Sequence, residues 1–285
     1  MKSVKICVAA ITAGVVCIAV MLGILSAAIY AENESGGSFI GLMYHQVLKD
    51  ESRAGKYIIT PNELESDLAY LSENGYVSVL PSQLVKIREQ GGRLPEKTVV
   101  ITFDDGYETG LYYVLPLLKK YGMKAVINVV GSYTDEYSQI NEEGKHLSYA
   151  YLTWNEIKTL SDSGYVEIGN HTYDMHSYNG DRNGCARKEN ESDEQYRTVL
   201  YEDVSRLSDK LQQVTGKRPV AFAYPFGSLS EGSAEIIGSA GISVFMTCCE
   251  QPCSMNRNGR IVINRYNRES GRTARQICEE FNNAF

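Results

Sequence analysis

Residues 99–107 read VVITFDDGY. Val99 to Phe103 form a β-branched, apolar run, the pattern of a strand buried on both faces of a parallel sheet. The run ends on two adjacent carboxylates, Asp104 and Asp105, and on Gly106, which permits a tight turn. In parallel barrels and in doubly wound sheets alike, chemistry gathers at the C-terminal ends of the strands, so both acids stand where a site would be. Helix capping accounts for one aspartate at such a place. Two neighbouring carboxylates repel, and each raises the other's pKa unless a cation sits between them.

On either side of this stretch the chain alternates strand and helix patterns. FIGLMYH, from Phe39, reads as a first strand. TPNELESDLAYLSENG reads as a helix with Thr60 at its N-cap, Pro61 at its first position, Glu63 as capping-box partner and Gly75 as its stop. After TVVITF come helix YYVLPLLKKYG, strand AVINVV, helix TWNEIKTLSDSG, strand VEIG, helix YRTVLYEDVSRLSDKLQQVTG, strand VAFAYP, helix SEGSAEIIGSAG, strands SVFMT and RIVINR, and helix ARQICEEFN. This alternation implies a parallel sheet of the α/β class, and about seven such units make a closed or nearly closed barrel. A doubly wound open sheet is the alternative. Between VEIG and the longest helix, Ser177 to Gln195 is polar without periodicity and reads as a mobile surface loop, placed to act as a lid.

With 285 residues, 43% of them hydrophobic, the chain can bury one sizeable core, and roughly 250 residues is usual for a single α/β barrel. Its beginning differs in kind: Lys2 and Lys5 precede an uncharged apolar run from Ile6 to Ala31. That run exceeds the roughly 7–15 residues of a cleavable signal core, and about 20 residues span a bilayer, so an uncleaved signal-anchor over residues 1–31 is favoured. The lysines then stay in the cytoplasm and the rest lies outside the membrane. Ser26 and Ala28 leave room for cleavage, which would give a secreted protein instead. Glu32 to Ser38 reads as a polar tether to a domain of residues 39–285. The formal net charge is −7, and beyond the leader 26 basic residues face 35 acidic ones, so nucleic acid is not an expected partner. A monomer is expected. Five cysteines lie outside the leader, Cys185, Cys248, Cys249, Cys253 and Cys278; the number is odd, so at least one is free or pairs externally. CCEQPC lacks zinc-finger partners and reads as a local disulfide loop, the pairing otherwise open.

Four histidines occur: His45, His146, His171 and His176. His171 and His176 bound HTYDMH, immediately after VEIG. On a helix, five residues at about 100° each would set them roughly 140° apart, so they would not converge; on a loop at a strand end they can. Two imidazoles and a carboxylate leave a coordination position open, as a catalytic zinc site requires, although exposed histidines without a metal are the plainer reading of this motif alone. His45, in MYHQV at the end of the first strand, is either a partly buried structural histidine or a general acid near neutral pH. His146, in NEEGKHLS, reads as solvated.

These motifs resemble the polysaccharide deacetylase family, also called the NodB-homology domain or carbohydrate esterase family 4. TFDDG is similar to its first motif, HTYDMH to its histidine motif and AYPFG to its third, and the likeness spans about Phe39 to Phe285. The resemblance implies a distorted (β/α)7-type barrel in which Asp105, His171 and His176 bind Zn²⁺ or another divalent ion such as Co²⁺ or Ni²⁺. It implies Asp104 as general base and the Phe226 backbone N–H as an oxyanion donor beside the cation. The five-residue histidine spacing, where four is common, matches the branch that includes the poly-β-1,6-N-acetylglucosamine deacetylases. Ala223 stands where the family keeps an arginine against the catalytic aspartate, and Arg265 in INRYN is the expected substitute. No histidine follows His176, so the family's late histidine motif is missing; His45 resembles the histidine that this branch places near the metal, and is the expected proton donor. Twenty tyrosines fit a groove whose rings stack on sugars, with Tyr107, Tyr173, Tyr224 and Trp154 as candidates, or simply half-buried packing. The implied activity is removal of N-acetyl groups, as acetate, from an extracellular N-acetylhexosamine polymer, either a cell-wall glycan or poly-N-acetylglucosamine. An O-acetyl xylan-type esterase and a non-catalytic glycan-binding module of the same fold are the alternatives.

Overall fold

The structure is a computed structural model that describes residues 35–140, 146–178, 182–256 and 259–283. The anchor expected in residues 1–31 lies outside the described residues, and no described helix is long and apolar enough to cross a membrane. β1 (Ser35–Tyr44), β2 (Gln46–Val47) and β3 (Ile58–Ile59) lead to α1 (Pro61–Glu73). That helix starts on a capping box: Thr60 Oγ1 accepts from the Glu63 N–H (3.2 Å) and Glu63 Oε2 from the Thr60 N–H (2.8 Å). There follow β4 (Val77–Ser78), α2 (Pro81–Glu89), β5 (Thr98–Phe103), α3 (Leu115–Tyr121), β6 (Ala125–Val129), α4 (Gly131–Tyr137), α5 (Trp154–Asp162) and β7 (Val166–Asn170). The chain continues through α6 (Asp193–Thr215), β8 (Ala221–Ala223), α7 (Ser233–Ser239), β9 (Val244–Met246), β10 (Cys253–Asn256), β11 (Ile261–Ile263), β12 (Arg265–Asn267) and α8 (Ala274–Asn283).

β1, β5, β6, β7, β8, β9 and β11 lie side by side and parallel. The last barrel strand is broken at Asn264. Its first half, β11, pairs with β9 (Val262↔Phe245), and its second half, β12, pairs with β1 (Leu42↔Tyr266). This change of partner brings the sheet back to its first strand, giving a nearly closed barrel rather than an open doubly wound sheet.

Side-chain alternation along the strands sorts the core into two layers. Val99, Ile101 and Phe103 of β5 pack outward with Leu64 and Leu68 of α1, whereas Val100 joins Phe39, Val126, Ala223 and Ile263 inside the barrel. The same period carries Thr102 and Asp104, Met43 and His45, and Asn128 to the inner side.

Several expectations change. Ser35 to Ser38, read as the end of the tether, belong to β1 and pair antiparallel with β10 (Ser35↔Asn256, Ser38↔Ser254); strand pairing is a backbone matter that their polar composition concealed. α2 and α4 escaped the sequence reading because each buries only two residues, Pro81 and Leu84 in one, Gly131 and Thr134 in the other, too few to show a period. The polar segment 177–195 is not wholly a loop. Its last three residues open α6, Cys185 is fully buried, and Arg182 pairs with Glu191 across it; residues 179–181 lie outside the described residues. The CCEQPC disulfide is not formed. All five described cysteines are free, and Cys253 Sγ instead donates to the Asn264 carbonyl at 3.0 Å.

Candidate active site

Two residues beyond the ends of β5 and β7 the backbone turns left-handed, and these turns aim the candidate ligands. Among the described residues, Asp105 (φ 70°), Thr172 (φ 74°) and Phe226 (φ 58°) are the non-glycine residues with positive φ, and all three border one site. Such backbone is costly for residues bearing a Cβ, and persists where the surroundings over-determine it. At Gly106 a side chain would be strained by the left-handed backbone (φ 72°), and its Cβ would press on Val129 Cγ1 at 3.0 Å.

The reversal at Asp105 gives the two acids different partners. Asp105 Oδ1 lies 3.5 Å from His171 Nε2 and 3.1 Å from His176 Nε2, and one ligand atom from each of the three residues falls within 4.8 Å of the others. His171 Nδ1 donates to the Ala223 carbonyl at 2.8 Å, which turns Nε2 toward Asp105. The five-residue loop closes because its backbone is pinned. Asn170 Oδ1 accepts the Thr172 N–H (2.9 Å), the Asp203 carboxylate accepts those of Tyr173 (2.7 Å) and Asp174 (2.8 Å), and Tyr133 OH donates to the His176 carbonyl (3.0 Å). The two imidazole centroids end 4.9 Å apart. Burial alone would raise the Asp105 pKa, but hydrogen bonds from His171 and His176 hold it well below the usual carboxylate range. An ionised carboxylate converging with two imidazole Nε2 atoms, whose protons a cation would replace, fits a divalent ion.

Asp104 turns inward to a buried ion pair. Its Oδ1 accepts from Arg265 Nη1 and from Asn128 Nδ2, each at 2.7 Å, and Arg265 also donates to Thr102 Oγ1 (3.1 Å) and to the Thr247 carbonyl (2.9 Å). Arg265 and Asp104 side chains are 0% and 3% exposed. Burial favours the protonated acid, and the Arg265 charge overrides it, lowering the Asp104 pKa to about 2. Asn128 reaches Asp104 only because Gly169 lacks a side chain: a Cβ there would lie 2.0 Å from Asn128 Oδ1.

His45, Asp104, Asp105, His171, His176 and Phe226 line one cavity of about 530 Å³. Burial lowers the His45 pKa, with Asp105 and Asp104 opposing, and its buried Nδ1 has no hydrogen-bond partner among the described residues. Of the aromatic candidates, Tyr107 lines this cavity. Tyr224 does not: it is 3% exposed, packs on Phe222 and Phe245, and its hydroxyl meets Ser233 Oγ at 3.3 Å, so the outward parity of its strand removes it from the site. Tyr173 and Trp154 are held by Asp135 at 2.5 and 2.9 Å instead. His146 is exposed. Sequence reasoning missed Tyr57 and Tyr178, cavity-lining rings 50% and 67% exposed, and also Asn128 and Asp203. A polar residue inside the apolar strand AVINVV was the available signal for Asn128; nothing in the sequence marked the others.

Residues 91–245 match the polysaccharide deacetylase family. The poly-β-1,6-N-acetyl-D-glucosamine N-deacetylase of Escherichia coli K12 is 27% identical over 228 residues, 73% of this chain, and the chain spans only 34% of that protein's length. The enzyme of the same name from Staphylococcus aureus MRSA252 is 23% identical over 241 residues, covering 80% of this chain and 77% of its own. Among solved structures, a de-N-acetylase from Aggregatibacter actinomycetemcomitans matches with a TM-score of 0.72 at 26% identity, over 85% of this chain and 99% of that one. IcaB from Ammonifex degensii shares the fold, with a TM-score of 0.67 at 24% identity over 86% and 97% of the two chains. A family match over more than half of the residues settles the kinship: the chain belongs to the polysaccharide deacetylase family.

Proposed function

We propose that the protein is a metal-dependent deacetylase that hydrolyses N-acetyl groups of an extracellular N-acetylhexosamine polymer, poly-β-1,6-N-acetylglucosamine or a related cell-wall glycan, and releases acetate. The observation that carries this reading is the division of labour between adjacent aspartates: Asp105 converges with His171 and His176, while Asp104 is held by Arg265 in the same cavity. Zn²⁺ on Asp105 and the two Nε2 atoms would polarise an amide carbonyl and acidify a water at the open position.

The chain's own groups do the rest. Asp104 Oδ1 is committed to Arg265 and Asn128; Oδ2, with no hydrogen bond among the described residues, takes the proton of the attacking water. The Phe226 N–H, in its left-handed turn after β8, donates to the oxyanion. His45 passes a proton to the departing amine. Tyr57, Tyr178 and Phe226 offer ring faces to neighbouring sugars. The lysine-flanked apolar leader supports an anchored enzyme with its site outside the cell, or a secreted one after cleavage.

Acetate release from β-1,6-linked N-acetylglucosamine oligomers by zinc-loaded protein tests the reading. Asp104→Asn should lower kcat by about 10²- to 10⁴-fold with metal content unchanged. Release from acetylated xylan alone, or full activity in Asp104→Asn, would overturn it.

A further inference from the structure

The cavity wall carries two sulfur atoms in contact. Cys248 Sγ, in the turn after β9, lies 3.9 Å from Met43 Sδ on the inner side of β1, and both residues line the cavity that holds the triad. Cys248 is free. Beside this pair stand two buried groups without a hydrogen-bond partner among the described residues: Arg265 Nη2, next to Cys248, and His45 Nδ1, from the same cavity.

A thiolate with a thioether is a soft donor set, which selects Cu(I) and its relatives, whereas carboxylate and imidazole suit harder divalent ions. Metal–sulfur bonds are roughly 2.3 Å long, so sulfurs 3.9 Å apart can share one ion at an S–metal–S angle of roughly 115°. That angle is close to trigonal and leaves a third position; His45 lines the same cavity, and its buried Nδ1 has no hydrogen-bond partner among the described residues. Desolvation in the cavity wall raises the Cys248 pKa, so its sulfur is present as the thiol, and because the residue is exposed a thiophilic cation can reach it and displace that proton.

We propose that Met43 and Cys248, completed by His45, form a site for a soft monovalent cation of the Cu(I)/Ag(I) class, distinct from the triad, and that filling it stops deacetylation. The second half rests on the deacetylase reading; the first does not. Binding makes bonds from the cation to Sγ and Sδ and releases the thiol proton to solvent, with no change of oxidation state. Inhibition follows because His45 and the space beside Asp104 are then occupied.

Silver nitrate in chloride-free buffer, titrated into zinc-loaded full-length protein with native mass spectrometry and acetate release as parallel readouts, tests the site. Cys248→Ser should lose one tightly bound silver equivalent relative to the parent, whose other thiols serve as internal reference. Met43→Leu, a volume-conserving change, should bind that equivalent at least tenfold more weakly. Cys249→Ser should bind it as the parent does and lose acetate release at the same equivalent. No lost equivalent in Cys248→Ser, or parental affinity in Met43→Leu, overturns the site. Filling that leaves acetate release untouched overturns the inhibitory half. Absence of acetate release before any silver is added counts against the deacetylase reading, while the silver stoichiometry still decides the site.

Discussion

Replacing Arg265 by methionine removes a cation from a place where water cannot substitute for it. The guanidinium is fully buried and 2.7 Å from an Asp104 carboxylate that is itself 3% exposed. Stripping one partner from a buried ion pair costs roughly 3–5 kcal/mol, because the other charge is left uncompensated. The pKa of Asp104 points the same way: the Arg265 charge holds it at about 2 against an ordinary 3.8, so the ionised carboxyl contributes on the order of 2 kcal/mol of stability. In the parent the folded value is depressed, so that stability is present above the unfolded pKa and fades as pH falls toward about 2. In Arg265→Met, burial without the guanidinium raises the folded value above the unfolded one, so the ionised carboxylate costs stability at neutral pH, and acidification relieves that cost. The parent-to-variant gap in unfolding free energy should therefore be several kcal/mol near neutrality and narrow steadily toward about pH 4. Urea titrations of both proteins at several pH values, with chelator present so that metal occupancy does not contribute, provide the assay. A gap below about 1 kcal/mol that stays constant with pH would refute the reasoning.

His45→Ala should reduce kcat by about 10²-fold or more while elemental analysis finds the same metal per chain; loss of the metal would make His45 a ligand instead. His171→Ala should do the reverse, emptying the site of metal and lowering activity in proportion, and added zinc at high concentration should restore part of it. Tyr178→Ala should raise KM several-fold for oligomers with kcat little changed, because the exposed ring lines the cavity and is proposed to stack on a neighbouring sugar, away from the reacting bond; unchanged KM would remove it from the substrate path.

The fold was legible because its strands are short, buried and β-branched, and because Thr60 announces its helix with a side-chain cap; Ser192 caps its helix in the same way but lay inside a stretch read as loop. The way the ring closes was not. RIVINR reads as one strand, and only the structure shows it changing partner at Asn264, a matter of long-range pairing that no local pattern encodes. At the site, the acids and histidines stood out as charged or polar residues just past apolar runs. The supports of the histidine loop did not: Asp203 lies on a helix far along the chain, and its role is to receive two backbone N–H groups. Tyr224 misled for a related reason, since a tyrosine at a strand end can face either layer and here the apolar neighbours of α7 claim it.

The changed partner at Asn264 also orders the assembly of the catalytic charge. Arg265 is the first residue of β12, so the segment that closes the ring is the one that neutralises Asp104. Asp105, His171 and His176 all leave the ribosome before Arg265 does, and until residues 261–267 dock, Asp104 lacks its counter-ion. Chemical competence thus reports on whether the ring has closed. A break in the chain that freed this one segment should silence the enzyme while leaving Asp105, His171 and His176 in place.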